Sequence, residues 1–361
     1  MAVSADAATS GADGPRPHQP SRRSKVLWIR EPYLSQILAG RKTVEVRVGY
    51  ENIRRLRPGD RLKLNDRHVA TVRRIGRYSG FEELLAQEDA AAIAPDLALQ
   101  ELPDALRELY PPEKEALGAV ALEIALRRYD AVLFDMGHTL VHFVPPEAAI
   151  MQATMQEAGI ERSAEEIEAA VQIVWGEYYR DAATATFPAT PDHDRKTQLR
   201  LMRGLLEQLG LRVEDRDLEA YEDMVASRFS QPGAMRPFPE VSGVLEALRE
   251  QDYRLGIISN WSWNLRQRVA QAGLDGHLEI VWASAYAGCN KPHPGIFYQA
   301  LVQMDLPAAR ALYVGDSYRH DVVGARSAGL DVVLLDRPGT AGDVDCPVIR
   351  DLWGLFDLLE D

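Results

Sequence analysis

Asp135, Ser259 and Asp316 each lie within two residues of the end of a four-residue apolar run. A short apolar run bounded by polar residues is typical of a buried strand in a parallel sheet. An open α/β sheet carries its chemistry at the carboxyl ends of such strands. The sequence therefore predicts that these side chains meet at one edge of a sheet and form an active site there.

The elements that would position these residues begin at residue 130. Candidate strands alternate with helical segments, which predicts a doubly wound α/β fold with a parallel sheet; the strands are 130–134, 254–258, 278–282, 311–314 and 331–335. An insertion without a convincing strand interrupts this alternation and shows helical periodicity at 147–158, 164–179, 195–209 and 218–229. Within it, Ser163 and Glu166 fit a capping box. We therefore predict a core of residues 130–145 and 233–361 and a helical domain of residues 146–232.

An Asp, a Ser, a Lys and an acidic pair, in that order, resemble the four motifs of the haloacid dehalogenase superfamily of hydrolases. They are Asp135, Ser259, Lys291, Asp316 and Asp321. The resemblance covers about residues 129–340 and implies a Rossmann-like sheet. The helical insertion resembles the cap that, in one large subgroup, closes over the active site and selects the substrate. The activity implied is Mg²⁺-dependent hydrolysis of a small phosphomonoester.

The family's mechanism implies a role for each side chain near the phosphoryl group. Asp135 would attack the phosphorus and become an aspartyl phosphate, which divides one hard displacement into two easier ones. Ser259 and the backbone amide of Asn260 would bind phosphoryl oxygens, and Thr139 is also expected at the substrate. Lys291 would neutralise the charge shared by nucleophile and phosphoryl group.

The same resemblance implies a magnesium site built from oxygen ligands. Asp135, the Gly137 carbonyl and Asp316 would supply the protein ligands. Asp321 would either orient a metal-bound water or hold Lys291.

Gly137 departs from the pattern of the family's phosphatases, which carry a second Asp at this position. That Asp protonates the leaving oxygen and then activates water, work worth roughly 10²–10⁴-fold in rate. Three explanations stay open: a substrate that needs no acid or supplies its own proton, a stand-in acid such as His138, or a catalytically weak domain. A metal site shared by His138 and His142 would require a helix here. Glycine could also reflect a left-handed backbone.

Members of the superfamily that lack the second Asp include enzymes that attack carbon, as in haloacid dehalogenation, and need no magnesium. Gly315-Asp316-Ser317 together with Asp321 is the acidic, phosphatase-like form of the last motif. This pattern favours phosphoryl transfer. A phosphatase for a sugar phosphate is a further alternative.

A second motif, GxKxxExR, occupies residues 40–47. If the segment is extended, Thr43, Glu45 and Arg47 share one face with Lys42 at its mouth. Arg47 suits a bidentate phosphate contact, and Glu45 could accept from a base amino group or act as a general base. A surface ladder of ion pairs between Lys42, Glu45 and Arg47 is the alternative.

The surrounding residues 25–126 predict a small α+β or barrel-like domain. Strands are predicted at 25–29, 61–64, 69–75 and 119–124, helices at 31–38 and 81–87, and a turn at 58–60. This order resembles the ASCH domain, a small barrel of the PUA-like group associated with RNA or nucleotide binding. Some ASCH proteins resemble amidohydrolases that act on modified pyrimidine nucleosides, and those have Thr where this chain has Glu45.

Charge and composition agree with a two-domain protein that meets an anion near its N-terminus. The net charge is −13, yet residues 25–80 carry fourteen Lys and Arg against five Asp and Glu. The two cysteines form no CxxC pair, and no apolar stretch is long enough to span a bilayer, so we expect a cytoplasmic protein. Residues 1–24 are predicted to be a disordered tail and not a signal peptide.

The resulting prediction is a magnesium-dependent phosphatase that acts on a small phosphomonoester and is joined to a module that binds RNA or a nucleotide. The second module suggests a nucleotide-like substrate. The alternative is an RNA- or nucleotide-binding regulator whose hydrolase domain is weak. Ser259, Lys291 and Asp316 favour the enzyme, whereas Gly137 favours the regulator.

Overall fold

The computed structural model describes residues 24–359. The chain forms two compact units, Met1–Leu126 and Arg127–Asp361. The predicted tail lies outside the described residues, apart from Ser24, which begins the first strand. Within residues 24–359, no helix is long and apolar enough to cross a membrane.

The first unit is an α+β domain with one five-stranded sheet in the order β1-β3-β4-β5-β2. Its strands are β1 (Ser24–Leu27), β2 (Val44–Val48), β3 (Arg61–Leu64), β4 (His68–Tyr78) and β5 (Ala119–Leu126). Its helices are α1 (Glu31–Leu38), α2 (Glu51–Arg54), α3 (Phe81–Gln87), α4 (Ala90–Ile93), α5 (Leu102–Leu109) and α6 (Pro112–Glu115). The last four residues of the second motif lie on β2, which is extended as the alternation of Glu45 and Arg47 required.

The second unit contains a six-stranded sheet in the order β10-β9-β6-β11-β12-β13, and all of its strand pairs are parallel. The strands are β6 (Ala131–Phe134), β9 (Arg254–Ser259), β10 (Ile280–Ala283), β11 (Ala311–Gly315), β12 (Asp331–Leu335) and β13 (Val348–Ile349). The predicted α/β class is confirmed. Because β6 and β11 are neighbours, Asp135 and Asp316 leave the sheet side by side.

Helices cover both faces of this sheet, so alternate residues of its inner strands enter two different apolar clusters. On β6, Val132 and Phe134 pack into one cluster, whereas Ala131 and Leu133 pack into the other. Burial on both faces explains why these strands appear as continuous apolar runs. The helices of the core are α11 (Val241–Glu250), α12 (Leu265–Gln271), α13 (Ser284–Ala287), α14 (Pro294–Gln303), α15 (Val323–Ser327) and α16 (Leu355–Leu359).

The helical insertion consists of α7 (Glu147–Glu157), α8 (Ala164–Tyr178), α9 (Pro191–Gln208) and α10 (Asp215–Phe229). The capping box at Ser163 and Glu166 is present at the start of α8. Helix α9 begins earlier than predicted because Thr190 caps it, its hydroxyl accepting from the His193 amide at 3.2 Å. A two-stranded antiparallel sheet, β7 (Val141–Phe143) with β8 (Met235–Pro237), joins the two ends of the insertion to the core.

Candidate active site

The Lys291 ammonium lies at the centre of the predicted site and joins two carboxylates. Its Nζ is 2.5 Å from Asp135 Oδ1 and 2.6 Å from Asp321 Oδ1. The Ser259 hydroxyl donates to the same Asp135 oxygen at 2.8 Å. Lys291 is only 2% exposed and Asp321 only 1%, so these contacts form away from solvent. Residues 124 or more positions apart along the chain are thus brought to one strand edge.

Tyr313 is a member of this network that the sequence did not reveal. Its hydroxyl oxygen lies 3.0 Å from Lys291 Nζ and 2.8 Å from the Ile258 carbonyl oxygen. The signal was present, since a tyrosine inside a buried strand needs a partner for its hydroxyl. Two residues on, a Cβ at Gly315 would lie 2.2 Å from the Asp321 carboxyl carbon, so no side chain fits there.

The electrostatics of the cluster show an excess of negative charge. Burial raises the pKa of Asp135, against the opposing effect of the Lys291 ammonium. Burial would lower the pKa of Lys291, but the two carboxylates raise it overall. Loss of hydration, together with the charges of Asp135 and Asp321, raises the pKa of Asp316 to about 7. A single ammonium therefore does not balance three carboxylates.

These carboxylates fit a divalent cation. One oxygen each from Asp135, Asp316 and Asp321 lies within 4.8 Å of the others, and Mg²⁺ prefers oxygen ligands. Asp321 is already engaged, because Oδ1 binds Lys291 and Oδ2 accepts from the Ser317 amide at 2.9 Å. Of the two roles predicted for Asp321, the contacts favour holding Lys291.

The loop after Asp135 is fixed by a residue far along the chain. The Arg337 guanidinium donates to the Thr139 carbonyl at 2.8 Å and to the His138 carbonyl at 3.2 Å. Glu240 holds the same guanidinium at 2.6 Å. The left-handed residue in this loop is His138, with φ of 54°, and Gly137 does not have a positive φ. The suggested left-handed conformation of Gly137 is therefore wrong.

His138 forms an ion pair with the first helix of the insertion. Its Nε2 is 3.2 Å from Glu147 Oε1, and this contact raises the pKa of His138 to about 9. The side chain is 61% exposed. His142 lies on β7, where its ring packs on Phe238 with 4.5 Å between centroids. The helix that a metal site of the two histidines required is absent, so that alternative is wrong.

Two further residues predicted at the substrate of this site, Asn260 and Thr139, differ in their contacts. The Asn260 side chain accepts from the Lys291 amide at 2.7 Å and donates to the Lys291 carbonyl at 3.1 Å. It thereby orients the Lys291 backbone. Thr139 is fully buried, and its hydroxyl has no partner among residues 24–359.

A cavity of about 750 Å³ lies between the insertion and the core. His138 and Asn260 bring it to the edge of the Asp135 site. Its walls are rich in aromatic side chains, including Trp175, Tyr178, Tyr179, Phe187, Trp261 and Trp263. The cavity therefore lies between the insertion and the core, beside the Asp135 site.

The first unit has its own cavity, of about 180 Å³, lined by Lys42, Glu45 and Arg47. Glu45 pairs with Lys42 at 3.2 Å and with Arg47 at 2.9 Å. Lys42 is buried and also donates to the Val44 carbonyl at 2.8 Å and the Ile93 carbonyl at 2.7 Å. The prediction that Lys42 stands at the mouth of the motif is therefore wrong, because these oxygens hold its ammonium inside.

Trp28 lies at the rim of this cavity and is 71% exposed. The Arg47 side chain is 20% exposed, but its Nε is sealed from solvent and has no hydrogen-bond partner in the described part of the chain. Burial and the charge of Arg47 lower the pKa of Lys25, so a second cation lies near. Thr43 is exposed, precedes β2 and is not among the residues that line the cavity, contrary to the prediction that it shares their face.

Comparison with known families agrees with this division. Residues 129–329 match the haloacid dehalogenase-like hydrolases, and residues 27–128 match the ASCH domain. The chain belongs to the haloacid dehalogenase-like hydrolase family and carries an N-terminal ASCH domain.

Curated proteins are similar to part of this chain. A phosphoserine phosphatase of Thermus thermophilus is 27% identical over 224 residues, which cover 57% of this chain and 88% of that protein. A glyceraldehyde 3-phosphate phosphatase of Methanothermobacter thermautotrophicus is 30% identical over 35% of this chain and 59% of its own length. The haloacid dehalogenase-like hydrolase domain-containing protein 3 of Bos taurus is 29% identical, and the chain spans 55% of it.

Solved structures share the fold. The putative hydrolase YfnB of Bacillus subtilis, described as bound to magnesium, aligns with a TM-score of 0.54 at 20% identity, over 65% of this chain and all of that one. The defluorinating L-2-haloacid dehalogenase Rha0230 aligns with a TM-score of 0.53 at 17% identity, over 64% of this chain and 96% of that one. At such identities the likeness concerns the fold alone.

Proposed function

We propose that the second unit is a magnesium-dependent phosphomonoesterase with Asp135 as its nucleophile. The observation that carries the proposal is the position of Lys291, whose ammonium joins Asp135 to Asp321 beside the carboxylate of Asp316. The acidic last motif suits a metal-dependent phosphatase better than a haloacid dehalogenase. Relatives named as phosphatases of small phosphorylated compounds support the same choice.

The residues of the chain divide the work of a two-step displacement. Asp135 attacks the phosphorus and forms an aspartyl phosphate as the alcohol leaves; water then attacks the phosphorus and releases phosphate. Ser259 and the Asn260 amide hold the phosphoryl oxygens, and Lys291 balances charge as it develops. Asp135, Asp316 and the Gly137 carbonyl would hold Mg²⁺, which screens the nucleophile from the anionic substrate when bound. Asp321 and Tyr313 fix the position of the Lys291 ammonium.

Gly137 limits the substrates on which this site works well. No carboxylic acid follows Asp135 at the second position to protonate the leaving oxygen. Substrates with acidic alcohols need little protonation, so they should react faster. The large aromatic cavity suits a leaving group bigger than a triose, and we infer a nucleotide-like or aromatic phosphomonoester.

A panel of phosphomonoesters tests this activity. We expect hydrolysis of nucleoside monophosphates and aryl phosphates with Mg²⁺, and loss of hydrolysis when EDTA removes the metal and its return when Mg²⁺ is restored. Released phosphate is measured across the panel. Released halide is measured with a 2-haloacid, which probes attack on carbon. Metal-independent release of halide, without release of phosphate, would replace the phosphatase with a dehalogenase.

We propose a second function for the ASCH domain, the binding of RNA or a nucleotide at the cavity of Arg47. The partly exposed side chain of Arg47 and the exposed indole of Trp28 carry this proposal. A guanidinium can bind a phosphate, and an exposed indole can stack on a base. The excess of basic residues over residues 25–80 would attract the same ligand. Fusion to the phosphatase would raise the effective concentration of a shared substrate.

Binding by the full chain distinguishes RNA from a nucleotide. For RNA, affinity should fall steeply with salt, and Arg47→Ala should reduce the slope against log salt by about one. Trp28→Ala should weaken binding of either ligand, whereas the control Arg55→Ala removes an exposed charge that lies outside the cavity lining. Lys42 is not a useful target, because its removal would take a hydrogen-bond donor from the carbonyls of Val44 and Ile93. Equal losses in Arg47→Ala and Arg55→Ala would mean that only diffuse charge matters.

A further inference from the structure

Arg268 is a buried cation in the wall of the cavity between cap and core. It lies on α12, the first helix after Ser259, and only 6% of it is exposed. It lines the same cavity that His138 and Asn260 bring to the edge of the Asp135 site. A charged group on the far part of a substrate could therefore meet this side chain while the phosphoryl group reaches Asp135.

The guanidinium has no acidic partner among residues 24–359. Its Nη1 donates to the Phe229 carbonyl at 2.7 Å and lies 3.3 Å from Gln271 Oε1. Nε and Nη2 donate to no atom of residues 24–359, yet neither nitrogen is sealed from solvent. Burial lowers the pKa of Arg268, and no carboxylate offsets that effect. Arginine is seldom buried without a paired charge, because desolvation of the cation is costly.

One structural role accounts for part of this arrangement. Phe229 is the last residue of α10, and the end of a helix carries about half a negative charge, which one guanidinium nitrogen can satisfy. That contact leaves the remaining charge and two donor nitrogens without a partner. Arg195, the other arginine that lines the cavity, differs because it pairs with Glu222 and Asp223.

We propose that Arg268 binds a second anionic group, carried by the leaving-group part of the substrate. The preferred substrates are phosphomonoesters that also bear a carboxylate or another phosphate. A guanidinium suits both anions because it presents paired donors to two oxygens. This inference rests on the phosphatase function proposed above and narrows its substrate class.

Three matched substrates test the inference: phenyl phosphate and its 4-carboxymethyl and 4-phosphonomethyl derivatives. In the two derivatives a methylene group separates the added anion from the ring, so the three phenols have similar acidity. Differences in kcat/KM should therefore come from binding. We expect the wild type to prefer the two substrates that carry a second anionic group by about 10- to 100-fold, mostly in KM, as a charged hydrogen bond allows. The carboxylate and phosphonate arms show which anion is preferred.

Substitutions on one helix separate recognition from folding. Arg268→Met should reduce the preference to within about twofold and Arg268→Lys should keep part of it, since an ammonium retains charge but not the paired donors. Arg266→Met is the control, because Arg266 is exposed on the same helix and does not line the cavity. A wild type with no preference, or a preference that survives Arg268→Met, overturns the inference. An equal loss of kcat/KM for all three substrates in Arg268→Met, together with a lower melting temperature, also overturns the inference. That result would mean that Arg268 only stabilises the end of α10.

Failure of the phosphatase proposal has a different signature. If the wild type hydrolyses none of the three esters, that proposal fails, and binding still reports on Arg268. The Asp135→Asn protein should then bind 4-carboxymethylphenyl phosphate more tightly than phenyl phosphate by calorimetry, and Arg268→Met should remove the difference. Equal affinities for the two esters would overturn the anion site itself.

Discussion

Asp135→Asn should reduce hydrolysis of an aryl phosphate by at least about 10⁴-fold, the size of loss that follows removal of a catalytic nucleophile. Asparagine keeps the shape of the side chain, but its amide cannot attack phosphorus. The substitution also removes the carboxylate that shares Lys291 with Asp321. Released phosphate and the thermal unfolding curve are measured on the same preparation, so that lost chemistry is separated from lost structure.

Asp130→Asn is a matched control for this substitution. Asp130 is a buried carboxylate directly before β6, at the opposite end of the strand from Asp135, and pairs with Arg310 at 2.7 Å. Its loss should lower stability, because a partly buried cation loses its partner. Turnover per folded molecule should persist. Full turnover in Asp135→Asn at equal purity would remove Asp135 as the nucleophile, whatever the control shows.

The position of a site residue was predictable where that residue lies at the end of a buried strand. Parallel strands buried on both faces are continuous apolar runs, so the positions of Asp135, Ser259 and Asp316 follow from strand ends alone. Helical periodicity and one capping box likewise revealed the insertion. Strands β7, β8 and β13 have only two or three residues, too few to show a period of two.

Partners that meet only in the folded chain could not be predicted. Arg337 donates to the carbonyls of His138 and Thr139, almost 200 positions earlier, and nothing in the sequence around Arg337 indicates this contact. Lys42 fits its motif, but the carbonyl of Ile93 that draws its ammonium inward lies 51 positions away. Arg268 lies on a helix whose apolar pattern suggests nothing about a cavity. Each case depends on tertiary packing, which local sequence patterns do not encode.

Gly137→Asp should restore the acid that the first motif lacks. We expect hydrolysis of alkyl phosphates, which need protonation of the leaving oxygen, to rise by up to roughly 10²–10⁴-fold. Aryl phosphates should gain far less. The backbone can accept the change, because Gly137 has no positive φ. Among residues 24–359, a Cβ there would meet only Trp261, at an ordinary 3.6 Å. The measurement is kcat/KM against leaving-group pKa, and the steep dependence of the wild type should flatten in the variant.

Two further variants decide whether His138 already supplies the proton. His138→Ala removes the imidazole, whereas Glu147→Gln keeps it and removes the carboxylate that holds it at 3.2 Å. If His138 is the stand-in acid, His138→Ala should slow alkyl esters selectively, and Glu147→Gln should slow them less. If both variants affect alkyl and aryl esters equally, the histidine serves the contact between cap and core. Suppose the wild type hydrolyses alkyl and aryl esters equally fast and His138→Ala changes neither rate. Then Gly137 does not mark a missing acid, and the proton must come from the substrate itself or from another residue that faces the cavity.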